Sequence, residues 1–112
     1  MENIIEIKSF NFAVRMVKLN KYLCDKKEYT LSNQLLRSGT SIGANVAEAQ
    51  QAQSTADFVA KMSIALKETA ETKYWLRLLN KTEYISDTQF ESIFEDCVEL
   101  EKILVSIIKS TK

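Results

Sequence analysis

The chain has 112 residues, of which 46% are hydrophobic and 27% charged, the composition of one ordinary globular domain spanning residues 1–112. Its 15 basic and 15 acidic side chains cancel, so no overall charge attracts it to nucleic acid or to a membrane surface. Histidine is absent, which removes the usual general base, the commonest metal ligand and every histidine-activated nucleophile.

Proline is also absent and glycine occurs twice, a composition that favours long uninterrupted helices. The sequence shows no signal-peptide pattern and no apolar run of about 18 residues that could cross a membrane. Cys24 and Cys97 are expected to be free thiols in a reducing compartment. Together these features predict a cytoplasmic protein without a membrane segment.

The first predicted helix extends from Asn3 or Ser9 to Lys26 and carries apolar residues on two adjacent faces. A helix packed against one layer needs a single apolar stripe, so two faces predict that this helix is covered on both sides. One face contains Phe10, Ala13, Val14, Val17 and Cys24, and the other contains Phe12, Met16, Leu19 and Leu23.

The second predicted helix has Thr30 as its expected N-cap and extends to about Ala52. Gly39, Gly43 and Ala47 recur every four residues in it and form one smooth stripe. Each glycine inside a helix costs about 1 kcal/mol relative to alanine. We therefore expect a neighbouring backbone to approach this stripe closely.

A polar face lies beside the glycine stripe. In one interpretation Asn45 and Glu48 hydrogen-bond to another helix or subunit and fix its register; in the other this face binds nucleic acid or a partner protein. The candidate packing and register residues of this helix are Gly39, Ser41, Ile42, Gly43, Asn45 and Glu48.

The third helix is predicted from Thr55 to Lys81, after a capping box of Ser54 and Asp57. Its apolar positions alternate at spacings of four and three, which is a heptad seam. The seam consists of Phe58, Met62, Ala65, Thr69, Thr72, Leu76 and Leu79.

A second capping box, Ser86 with Gln89, precedes a fourth helix whose apolar residues continue to the end of the chain. Short connections make each helix antiparallel to the one before it. The sequence therefore predicts an all-α, antiparallel, up-down-up-down four-helix bundle.

No residue pattern indicates catalysis. Glu68 and Glu71 are neighbours on a helix, but the Glu-x-x-His motifs of a di-metal bundle are missing. The glycines lie within a helical pattern and form no phosphate-binding loop. We expect no enzyme activity, no cofactor, no metal and no small-molecule substrate.

The apolar surface is larger than a monomeric bundle requires. In addition to the second face of the first helix, Ile64, Trp75 and Leu78 lie outside the heptad seam of the third. A large exposed apolar patch usually marks a site of protein association. We therefore expect a homo-oligomer with cyclic symmetry.

Two stretches resemble a known family. Residues 34–49, Gln-Leu-Leu-Arg-Ser-Gly-Thr-Ser-Ile-Gly-Ala-Asn-Val-Ala-Glu-Ala, resemble the signature of the four-helix-bundle proteins encoded within intervening sequences of bacterial large-subunit ribosomal RNA genes. The third helix fits the same family through Phe58, Ala65, Glu68, Glu71, Tyr74, Trp75, Leu76 and Leu79. The resemblance covers about residues 8–108.

The resemblance implies a left-handed four-helix bundle that assembles as a ring, often a pentamer. A more distant similarity links the chain to the accessory variability determinant proteins of diversity-generating retroelements, which are basic pentamers that bind nucleic acid. The chain has a net charge of zero, so it does not have the strongly basic surface on which such binding relies.

Two hypotheses follow. In the first, the protein is a homo-oligomeric, non-catalytic interaction module or scaffold. In the second, a ring repeats a basic surface that binds RNA or DNA, and the candidate contacts are Arg15, Lys18 and Arg37. Arg15 and Lys18 lie on the part of the first helix outside its two apolar faces. The alternative for this part is a surface that contacts solvent only.

Overall fold

Four α-helices form almost all of residues 3–111, the part of the chain that the computed structural model describes. They are α1 (Ile4–Asp25), α2 (Thr30–Ala49), α3 (Thr55–Lys81) and α4 (Asp87–Thr111). Residues 3–111 contain no β-strand, so the predicted all-α bundle is confirmed. Each helix packs against the next, α4 returns to α1, and the bundle measures 44 × 22 × 19 Å.

Neighbouring helices run in opposite directions. At one end of the α1–α2 pair, Asn3 contacts Gln50, and at the other end Asn20 contacts Ser32. The ion pairs between α2 and α3 and between α1 and α4 follow the same reversed order. The up-down-up-down order is therefore present, and the left-handed sense stays a prediction.

One hydrophobic core joins the four helices. The α1 face with Phe12, Met16, Leu19 and Leu23 is buried in it, as is the heptad seam of α3 apart from the half-buried Phe58. From α4 the core receives Ile93, Cys97, Leu100 and Leu104.

Both glycines of α2 face α1, but the predicted close approach of a neighbouring backbone occurs only at Gly43, since Gly39 faces the Met16 side chain. A Cβ atom at Gly39 would lie 2.4 Å from Cγ of Met16, and Gly43 faces the backbone of Ser9. A side chain at position 39 would force the Met16 side chain to shift, and one at position 43 would press on the Ser9 backbone. The third member of the stripe, Ala47, is exposed.

Both predicted capping serines cap their helices. The Gln89 N–H donates to Ser86 Oγ at 3.1 Å and the Ser86 N–H donates to Gln89 Oε1 at 2.8 Å, which completes that capping box. At α3, the Asp57 N–H donates to Ser54 Oγ at 3.1 Å. The Asp57 carboxylate accepts from the Gln53 N–H instead of from Ser54, so that box is only half formed.

Both predicted ends of α2 were wrong. Thr30 is its first helical residue, and the N-cap position belongs to Tyr29, whose side chain makes no capping hydrogen bond. The Glu28 carboxylate caps the helix instead, accepting from the Ser32 N–H at 2.8 Å. At the other end the helix stops at Ala49, because the next three N–H groups donate to carbonyls three residues back, which tightens the last turn.

Candidate subunit interface and polar network

The second apolar face predicted for α1 is exposed at Phe10, Val14 and Val17 and half-buried at Ala13 and Cys24, and the exposed Ile7 extends it. Phe10 has 68% of its surface accessible, Val17 42%, Ile7 41% and Val14 37%. We call these four residues the α1 ridge. Their spacings of three, four and three are those of a helix-packing seam. Within the described chain α1 is thus covered on one side only, and the predicted second cover, if present, comes from another molecule.

Small residues of α2 lie beside the α1 ridge. Thr40, Gly43, Ala44 and Ala47 form one wall of a groove of about 550 Å³, and Ile7, Phe10 and Ala13 of α1 are part of its lining. We call it the α1–α2 groove. Because the α2 side chains are short, the surface drops from the ridge to α2, and the two features form one continuous, mostly apolar face. The groove lining also includes Glu6, Ser9 and Asn11.

The α1–α2 face also differs from the rest of the bundle in charge. Across residues 3–111, ion pairs join α1 to α4, α2 to α3 and α3 to α4, and none joins α1 to α2. They are Lys8–Glu99, Arg15–Asp96, Arg37–Glu68, Arg37–Glu71, Lys61–Glu48 and Lys73–Glu101. Side-chain hydrogen bonds between α1 and α2 occur at the two ends of the pair.

A polar network joins α2 to α3. The Arg37 guanidinium pairs with the Glu71 carboxylate and lies 3.6 Å from Glu68 Oε2. Trp75 Nε1 donates to Glu71 Oε2 at 2.9 Å. Glu68 Oε2 is buried and accepts no hydrogen bond from residues 3–111, so Arg37 is its nearby compensating charge. These residues belong to the two stretches that carry the family resemblance.

The three candidate nucleic-acid contacts do not form one surface in a single chain. Arg15 Nη1 lies 2.6 Å from Asp96 Oδ2, on the α4 side of α1. Arg37 lies in the polar network on the α3 side of α2. Lys18 is exposed and makes no ion pair with the residues that the structure describes. Carboxylates of the same chain therefore already neutralise both arginines.

The candidate register residues of α2 have different roles. Ile42 is fully buried in the core, and the Ser41 hydroxyl donates to the Arg37 carbonyl of its own helix at 2.7 Å. Asn45 makes no hydrogen bond to another helix among residues 3–111, as one of the two interpretations required, and its amide donates to the Ser41 carbonyl at 2.9 Å. Glu48 does reach α3, where it lies 3.5 Å from Lys61.

The buried side-chain hydrogen bond between α2 and α3 joins two residues that are not among the candidates. The Thr72 hydroxyl donates to Ser38 Oγ at 2.9 Å, and both side chains are fully buried. Two features of the sequence indicate that these residues need polar partners: Thr72 interrupts the apolar seam of α3, and Ser38 lies on the polar face of α2. Their pairing required the antiparallel register, which spacing alone does not supply.

The described residues include no group of three or more cysteine or acidic side chains positioned to hold a metal ion. Burial raises the pKa of the Cys97 thiol to about 12, and its Sγ lies 3.6 Å from the Thr69 carbonyl oxygen. No helix among residues 3–111 is long and apolar enough to cross a membrane.

Comparison with known proteins identifies a family. The model of the family described as 23S rRNA-intervening sequence protein matches residues 1–106. The chain is also similar to a crystal structure from Bacteroides thetaiotaomicron, described as a protein with unknown function from the S23 ribosomal protein family. The two are 58% identical with a TM-score of 0.94, over 95% of this chain and 99% of the other. No curated protein matches the chain.

Proposed function

The chain belongs to the 23S rRNA intervening sequence protein family, and we propose that it acts as a homo-oligomeric scaffold that binds other macromolecules without catalysing a reaction. The family name and the related structure assign no activity, so the proposal depends on the surface of the molecule.

The observation that carries the proposal is the α1 ridge. Burying a side chain such as valine, isoleucine or phenylalanine contributes about 1.5–3 kcal/mol, and four of them lie exposed in one row. Isolated exposed apolar residues are ordinary, whereas a row at helix-packing spacing that adjoins an apolar groove is typical of an interface. A second copy of the chain supplies a helix to cover it.

The assembly that we propose is a ring with cyclic symmetry, in which five copies are expected from the family resemblance. A ring repeats each surface at fixed intervals, so a weak binding site on one chain becomes a multivalent one. This is how a chain of zero net charge can serve as a scaffold without a strongly charged surface.

Binding of RNA or DNA is the alternative role. It depends on cations that are free to contact phosphates, because each such contact releases counterions and strengthens binding. The ion pairs of Arg15 and Arg37 argue against it, since a phosphate would have to displace Asp96, Glu68 or Glu71. Among the three candidates, Lys18 makes no ion pair with the described residues and could contact a phosphate without displacing a carboxylate.

Light scattering on a sizing column, with absorbance recorded at 260 and 280 nm, tests the proposal. A mass several times 12.8 kDa with the absorbance ratio of pure protein is expected. A peak of 12.8 kDa at micromolar concentration would refute the scaffold proposal. Nucleic acid that elutes with the assembly and dissociates in high salt would favour the alternative role.

A further inference from the structure

We propose that Phe10 anchors the contact between copies by packing into the α1–α2 groove of a neighbouring copy, beside its Gly43 and Ala44. This inference rests on the proposed function, because it names the surfaces through which the copies assemble. Phe10 is the most exposed large hydrophobic side chain of the described residues. Aromatic side chains that enter a desolvated pocket dominate the energy of protein interfaces.

The spacing of the α1 ridge indicates that its partner is a helix. Ile7, Phe10, Val14 and Val17 repeat the three-four pattern with which side chains of one helix enter the spaces on another. An apolar partner surface suits the ridge, because its four side chains carry no polar group. Another copy of this chain offers both a helix and an apolar surface.

The ridge and the groove match each other in register. In the antiparallel α1–α2 pair, Ser9 lies level with Gly43, so Phe10 lies level with the smallest residues of the groove. In the proposed ring the symmetry axis is parallel to the helices, and rotation about it keeps every level unchanged. Under cyclic symmetry, Phe10 of one copy therefore meets Gly43 and Ala44 of the next, and Ile7 meets Ala47.

The dimensions of the α1–α2 face limit the area of each contact between copies. The 22 residues of α1 extend for about 33 Å at about 1.5 Å per residue. Two adjacent helices form a face about 20 Å wide, since their axes lie about 8–10 Å apart. In a ring this area of about 600 Å² is divided between two neighbours, so each contact covers less than the roughly 800 Å² of a standard interface and depends on the Phe10 anchor.

Disulfide cross-linking tests the proposed geometry. Two variants, Ile7→Cys and Ala47→Cys, are made in a Cys24→Ser background and co-expressed with different tags. Both positions are exposed in the single chain, and the remaining Cys97 is buried. Mild oxidation is expected to link Ile7→Cys to Ala47→Cys, and to leave each variant unlinked when it is expressed alone.

A control pair, Ser63→Cys with Ala47→Cys, places one thiol on the exposed side of α3 and is expected to remain unlinked. Self-linking of Ile7→Cys alone would overturn the proposal, since it would mean that α1 packs against α1. Absence of any link in an assembled mixture of the first pair would overturn it as well.

A charge substitution tests the role of Phe10 itself. Phe10→Lys is expected to reduce the assembly to a mass of 12.8 kDa while the helical circular dichroism stays unchanged, because the side chain is outside the core. Tyr29→Lys is the matched control, an exposed aromatic residue at the α1–α2 connection, and should assemble normally. If the wild type and Phe10→Lys assemble equally, this inference is refuted while the proposed function stands. If the wild type itself is monomeric, the proposed function is refuted.

Discussion

Gly43 of α2 and Ser9 of α1 lie so close together that a Cβ atom at position 43 would be 3.1 Å from the Ser9 carbonyl oxygen. The neighbouring atom is backbone, so it cannot swing aside as the end of a side chain could. The same glycine lines the α1–α2 groove on the outside of the bundle. Position 43 therefore serves both the packing of α1 against α2 and the shape of the exposed face.

Gly43→Leu should destabilise the fold, because its Cβ atom would lie 3.1 Å from the Ser9 carbonyl oxygen and would press on the backbone of α1. Overpacking of a core typically costs about 1–3 kcal/mol, and the helix propensity gained from replacing glycine offsets about 1 kcal/mol of it. Urea unfolding should show a loss of free energy of unfolding, while the exposed control Ala60→Leu stays near wild type. Equal stability of the two variants would show that Gly43 is not a close contact.

Gly39→Ala should also destabilise the protein. Its Cβ would lie 2.4 Å from Cγ and 2.6 Å from Sδ of the fully buried Met16, which must then leave its place in the core. We expect a net loss of about 1 kcal/mol after the gain in helix propensity. In a double-mutant cycle with Met16→Ala, the double variant should lose less than the sum of the single losses. Strict additivity would contradict the contact.

The helix caps give a matched comparison. Ser86→Ala removes the acceptor of the Gln89 N–H and should cost about 1 kcal/mol. Thr30→Ala should change stability by only a few tenths of a kcal/mol, because Thr30 caps nothing and Glu28 caps α2. Thermal unfolding of both variants measures the difference. A larger loss for Thr30→Ala would contradict the position of the α2 N-terminus.

Arg37 and Glu71 should be energetically coupled through the polar network. Arg37→Met leaves Glu68 Oε2 buried without a nearby positive charge, so it should cost more than the removal of an ordinary surface cation. Because Arg37 is half exposed, we expect a loss of about 1 kcal/mol, smaller at high salt. A cycle with Glu71→Gln measures the coupling, and Lys67→Met on the exposed side of α3 is the control.

The two cysteines should differ in reactivity. With a pKa of about 12, the Cys97 thiol stays protonated at pH 8 and should react with iodoacetamide only after unfolding. Cys24 is half-buried and should be labelled first. Since folding raises the Cys97 pKa above its ordinary value of 9.0, its contribution to stability is complete below pH 9 and is lost as the pH rises from about 9 to 12. Rapid native labelling of both thiols would contradict this burial.

Local spacing was sufficient to predict most of the fold. The α3 seam follows from a spacing repeated along one helix, and the capping serines and the close approach at Gly43 follow from residues within one or two helical turns. Thr30 was assigned wrongly because the carboxylate of Glu28, two residues earlier, competes for the same N–H groups. One interpretation had Asn45 bonding to another helix or subunit, but within the chain its short amide reaches the carbonyl of Ser41, four residues back in the same helix.

The partners of the candidate site residues could not be predicted from spacing. Arg37 and Glu71 are separated by 34 positions, so their pairing depends on how α2 and α3 align. Arg15 and Asp96 meet only because α4 returns to α1. The sequence therefore indicated three cations as candidate contacts for phosphate without showing that carboxylates of the same chain neutralise two of them.

Sedimentation equilibrium of the wild-type protein over a dilution series is the most direct test of assembly through the α1 ridge. The account predicts a mass that is a whole multiple of 12.8 kDa at micromolar concentration, with five copies expected for the ring. A mass of 12.8 kDa at every concentration would contradict it, because the α1 ridge would then remain exposed to water.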